Sequence, residues 1–78
     1  MAKFVDMETM LDMRKGFIKQ MHNYIGFHIN DEDAYGEWIQ LVPDKPDEED
    51  FTFIANDEEL WVSVCTLFGK LVKRYEGR

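Results

Sequence analysis

Sixteen carboxylates, two histidines and one cysteine are the groups of this 78-residue chain that could bind or react, and twelve of the carboxylates crowd between Asn30 and Glu59 against a single base, Lys45. Like charges gathered in one stretch raise a local potential that attracts cationic partners and repels nucleic acid and anionic membrane. The flanks differ: residues 1–29 hold four bases against three acids, and residues 60–78 hold four bases against Glu76. Recognition by charge is therefore the first expectation. It implies a basic protein surface as partner, with no direct binding of nucleic acid and no membrane.

Two runs concentrate the acids. One is Asp31, Glu32 and Asp33; the other is Asp44, Asp47, Glu48, Glu49 and Asp50 within residues 43–50. Carboxylates displayed in series can pair with the Lys and Arg arrays that proteins use on phosphates, so such a strip suits an inhibitor or nucleic-acid mimic. The competing reading is a solvated loop that keeps an aromatic-rich protein dispersed.

Metal chemistry is less well supported. Asp31, Asp33 and Gly36 fall at positions one, three and six of a calcium-binding EF-hand loop, but Tyr35 stands where the ligand at five belongs and Val42 where the bidentate glutamate belongs. His22 and His28 have no His-x-x-x-His spacing, and Cys65 has no second cysteine, so neither a metal site nor a cofactor is expected. A small metal-dependent enzyme would need His28, Asp31 and Asp33 to converge. The only serine, Ser63, and the isolated glycines form neither a nucleophile elbow nor a phosphate loop, so the expected function is non-catalytic.

The elements that must position these groups follow from periodicity. Over residues 5–25 the apolar side chains Met7, Met10, Leu11, Met13, Phe17, Ile18, Met21, Tyr24 and Ile25 recur at helical spacing, within an arc of about 160°. Gly26 is the expected stop. Arg14 falls inside that arc and must either run its stem over apolar surface to water or pair with a carboxylate, with Glu37 as the candidate, while the methionines read as core filler. A second helix should begin with Asn56 as N-cap and Glu59 as its capping-box partner. It then buries Leu60, Trp61, Val64, Cys65, Leu67, Phe68, Leu71, Val72 and Tyr75, and ends at Gly77. Cys65 would be an inert core thiol.

Between the helices, residues 27–29, 35–42 and 51–55 are rich in aromatic and β-branched side chains and are bounded by Asp, Gly and Pro, which predicts three short strands. The loops would be residues 30–34 and 43–50. The predicted fold is a single two-layer α+β domain over residues 1–78, ordered α-β-β-β-α, with two amphipathic helices on one face of a three-stranded antiparallel sheet. Alternation turns Phe27, Ile29, Ile39, Leu41, Phe51 and Phe53 toward the helices, and His28, Trp38, Gln40, Val42, Thr52 and Ile54 outward. An outer face that apolar predicts association through the sheet, anchored by Trp38, so a homodimer or assembly component is the alternative function. A register shifted by one residue would instead make Trp38 core.

The lone cysteine, the lack of about 18 consecutive apolar residues and the opening Met-Ala-Lys-Phe-Val-Asp, without a signal peptide's apolar block, make the cytoplasm the expected compartment.

Overall fold

The computed structural model describes residues 6–76, and among them there is no strand. The order is α1 (Met7–Asn23), a π-helical continuation (Tyr24–Ile29), α2 (Glu32–Trp38), α3 (Glu48–Asn56) and α4 (Glu58–Glu76). The predicted α+β architecture is thus replaced by a small helical bundle. The expected helix start at Val5 and stop at Gly77 lie outside the described residues.

The reason lies in the spacing of the buried side chains. Ala34, Trp38 and Val42 are fully buried at intervals of four, and Phe51, Ile54 and Ala55 are buried at i, i+3 and i+4, which is the helical period. A strand over 51–55 would put Phe51 and Phe53 on one face, yet Phe51 is 8% exposed and Phe53 67%. Aromatic content predicted strands, and tertiary packing with capping overrode it.

Among the described residues each of the four α-helices starts at an aspartate. The Asp6 carboxylate accepts the Thr9 amide at 2.8 Å, Asp31 those of Asp33 and Ala34 at 2.9 and 3.1 Å, Asp47 that of Asp50 at 2.9 Å, and Asp57 that of Leu60 at 3.0 Å. Asp50 returns the favour by accepting the Asp47 amide at 3.0 Å, completing a capping box. Each cap satisfies an amide that the first turn leaves without a carbonyl partner. The expected cap Asn56 is instead the last residue of α3, and Asp57 does its work.

Gly26 does not stop the first helix. The chain widens into the π-helical turn, and Asn30 closes it in the left-handed conformation at φ 50°, its amide reaching Ile25 O at 3.1 Å. Asn tolerates that conformation better than most residues. Tyr35 packs over Gly26, where an added Cβ would lie 3.8 Å from Cε1 of the ring.

α3 runs antiparallel to α1. Glu48 at its start meets Lys15 and Lys19, while Ala55 near its end accepts a hydrogen bond from Arg14 at 3.2 Å. α4 then runs parallel to α1: Arg14 meets Glu58 at 3.1 Å and lies 5.0 Å from the Trp61 ring centre, Tyr24 meets Phe68 at 5.5 Å, and His28 meets Glu76 at 3.4 Å. Arg14 therefore finds Glu58, and the carboxylate expected for it, Glu37, pairs with Arg74 at 2.9 Å. α2 seats Trp38 between the end of α1 and Phe68 of α4.

The core is one cluster around Ile18, Ile25, Trp38, Ile54, Val64 and Leu71. The molecule is 20 Å through its thinnest direction, about two helix diameters, so the described residues form no third layer and leave apolar side chains outside. Met7 and Met13 are 65% and 52% exposed, so the core-filler reading fails for these two, whereas Met21 packs against the core.

Candidate functional site

Asp44, the first acid of the second run, meets Asp31 and Glu32 of the first at one groove. Its volume is about 730 Å³, and its walls come from the end of α1 with the π-helical turn, the start of α2 and the 44–46 connection. Asp31, Glu32 and Asp44 contribute carboxylates, Lys45 a base, and His22, Phe27 and Tyr35 aromatic surface. Phe27 is 83% exposed, against the expectation that it faces a core.

Tyr35 ties the two runs together. Its hydroxyl donates to the Asp44 carbonyl at 3.1 Å and to the Asp44 carboxylate. The Asp44 hydrogen bond, followed by burial, raises the phenol above its ordinary range, so Tyr35 stays a donor through neutral pH. Behind it, Trp38 Nε1 donates to His22 Nδ1 at 2.9 Å. An indole only donates, so Nδ1 is the acceptor and the ring proton sits on Nε2. Trp38 is fully buried and belongs to this structural pair, so it anchors no external contact, and the outward sheet face it was expected to occupy does not exist.

The remaining acids divide by use. Asp31 spends one carboxylate oxygen on the cap of α2, while Glu32 and Asp33 are exposed in that helix's first turn. Asp47 and Asp50 form the capping box of α3, and Glu48 bridges Lys15 at 3.3 Å and Lys19 at 2.8 Å. The Lys19 hydrogen bond, then that of Lys15, holds the Glu48 carboxyl below its usual range. Glu49 is exposed beside them. Residues 47–50 are therefore the start of a helix docked on α1 and do not form an extended strip.

The groups weighed for metal chemistry separate. His28 stacks on Tyr24 with ring centres 4.5 Å apart and pairs with Glu76. Among the described residues no three His, Cys, Asp or Glu side chains converge as a metal site would require. Cys65 is half-buried between α1 and α4, and burial pushes its thiol up, against a smaller opposing effect of Arg14.

The His22–Trp38 pair and the Asp caps were not anticipated. The caps had a readable signal, since Asp47-Glu-Glu-Asp50 has capping-box spacing before an apolar pattern and Asp31 precedes two further acids before Ala34 and Trp38. The His22–Trp38 bond had none, because it joins residues sixteen apart through tertiary packing.

Among the described residues no helix is long and apolar enough to cross a membrane. No protein-family model, no curated protein and no solved structure matches this chain.

Proposed function

We propose that this chain is a non-catalytic interaction domain whose acidic groove binds a basic surface of a protein partner. The observation that carries the reading is the meeting of Asp31, Glu32 and Asp44 around one aromatic-walled groove. Carboxylates beside ring faces suit a guanidinium or ammonium group, which gains from both charge pairing and the ring quadrupole. A protein's phosphate-contact surface offers such groups in series, so occupying it as an inhibitor is the natural form of the activity. A cytoplasmic setting belongs to the same reading, supported by a lone thiol with no partner for a disulfide. The nine residues first expected to bind shrink to Asp31, Glu32, Asp33 and Asp44, with Glu49 at a distance. Trp38, Asp47, Glu48 and Asp50 serve the fold.

The test is titration of an arginine-rich peptide, followed by amide chemical shifts in the labelled protein. The shifts should centre on Asp31, Glu32, Tyr35 and Asp44. The isosteric Glu32→Gln, Asp33→Asn, Asp44→Asn variant should bind at least about tenfold more weakly, as should the wild-type protein when salt rises from about 0.05 to 0.5 M. Binding unaffected by both changes would remove the groove from consideration.

A further inference from the structure

His22 belongs to two parts of the molecule at once. Its ring lines the acidic groove with Asp31, Glu32, Tyr35 and Asp44, while its Nδ1 accepts the indole N–H of the fully buried Trp38 at 2.9 Å. That bond satisfies the one polar atom of the side chain by which α2 is seated in the core. A buried donor left without a partner is costly, so the bond holds α2 against α1 in a defined position.

The bond lasts only while His22 is neutral. An imidazole that gains a proton donates at both nitrogens, so Nδ1–H would face Nε1–H and the bond to Trp38 would be lost. The same proton places a positive charge on the wall of a groove that holds three carboxylates. Carboxylates only accept, and they bind a charged donor more strongly than a neutral one. Protonation therefore trades the indole for Asp31, Glu32 or Asp44.

The surroundings of the ring favour this exchange. From α2 come Tyr35, with its ring centre 6.0 Å away, the Trp38 indole at 6.4 Å and, at the start of the helix, Asp31 and Glu32. Tyr35 keeps its proton through neutral pH because of its bond to Asp44. The 44–46 connection adds Asp44 and the one opposing charge, Lys45. The π-helical turn adds Ile25, Gly26 and Phe27, which do not titrate, and α4 reaches Trp38 through Phe68 without adding a charge to the groove wall. One turn back on α1, Lys19 is occupied by Glu48 of α3 at 2.8 Å.

We infer that His22 is a proton-operated switch on the acidic groove: a proton on His22 and a cationic side chain of the partner exclude one another. With His22 neutral the carboxylates are open to an external cation, and with His22 protonated an internal cation is already among them. The inference takes its ligand from the acidic-groove reading, whereas the switch itself stands on the His22–Trp38 bond. Linkage makes the effect reciprocal, so partner binding must also oppose proton uptake by His22.

Two measurements on the whole chain test this. In the first, ring nitrogen resonances of labelled His22 report its protonation, and the indole N–H resonance of Trp38 reports the bond. As pH falls from about 8 to about 5.5, the span in which imidazole changes charge, the Trp38 resonance should move with the same midpoint as His22. The Trp61 indole, which lies under Arg14, should not follow it. In the second, the affinity for an arginine-rich peptide without histidine should fall at least about fivefold over the same span, the low end of ordinary coupling between sites. His22→Asn keeps an acceptor in the place of Nδ1 and cannot take up a proton, so its affinity should not change with pH over that span, whatever its starting value. His28→Asn, whose native ring stacks on Tyr24 and pairs with Glu76, should show the wild-type fall. A Trp38 resonance indifferent to His22 protonation would overturn the switch, and a fall as steep in His22→Asn as in wild type would overturn the exclusion. Absence of peptide binding at about pH 8, where imidazole is neutral, would instead overturn the groove reading, and the Trp38 resonance would still decide the switch.

Discussion

The two regions of this molecule use charge in opposite ways. In α1 and α4 the acids and bases balance, and the helices are held by apolar stripes that continue to the outside. Residues 30–57 carry ten acids against Lys45, but the acids there are not interchangeable. Asp47, Asp50 and Asp57 cap helices, and Glu48 and Glu37 clamp them to α1 and α4. Asp31 gives one oxygen to a cap and Asp44 accepts from Tyr35, while both line the groove. Among the described residues of this stretch only the acids Glu32, Asp33 and Glu49 make no such structural bond. A run of carboxylates is thus as much a folding signal as a binding signal, because the positive end of a helix and its orphan amides both ask for one.

The largest expected break of that comparison comes from its one large side chain that binds nothing outside. Trp38→Ala should cost about 3–5 kcal/mol, comparable to the whole margin of a domain this small, and leave the chain mostly unfolded in circular dichroism. Phe53→Ala, at an exposed aromatic, should stay within about 0.5 kcal/mol. A smaller effect separates the two kinds of acid. Asp47→Ala should lose about 1 kcal/mol in urea denaturation through the missing cap, whereas its near neighbour Glu49→Gln should lose essentially nothing. Equal losses would mean that the caps are not special.

The smallest effect is one of pH. Glu48 is held below the usual carboxylate range by Lys19 and Lys15, and Asp6 by the Thr9 amide it caps. A group whose folded pKa is depressed contributes stability that is present above its unfolded pKa and is lost as pH falls through the folded value. The urea midpoint should therefore decline as pH drops through and below the ordinary carboxylate range. Glu48→Gln should make that decline shallower, and an unaltered slope would show that the Lys15–Glu48–Lys19 cluster is only a surface pairing.

The terminal helices were legible because each has a long stripe at the helical period, from Met10 to Ile25 and from Leu60 to Tyr75. The middle was misread for a physical reason. Residues 32–38 and 48–56 are too short for periodicity to outweigh the strand preference of Tyr35, Trp38, Phe51 and Phe53, so the decision passes to the caps and to burial. Asp31 and Asp47 held that information in plain view. The groove was half legible: its acids were expected to bind, but their meeting through Tyr35 and Asp44 depends on a turn geometry that no local pattern specifies.

The placement of the two indoles makes this protein its own reporter. Trp38 lies in the core beside His22 and answers to the docking of α2, whereas Trp61 lines the α1/α4 groove under Arg14 and answers to changes there. Since the chain has no third tryptophan, Trp38→Phe leaves an emission spectrum that belongs to Trp61 alone, and Trp61→Phe one that belongs to Trp38. Fluorescence of the two single-indole chains would then resolve, without any attached label, which side of the bundle a titrant has touched.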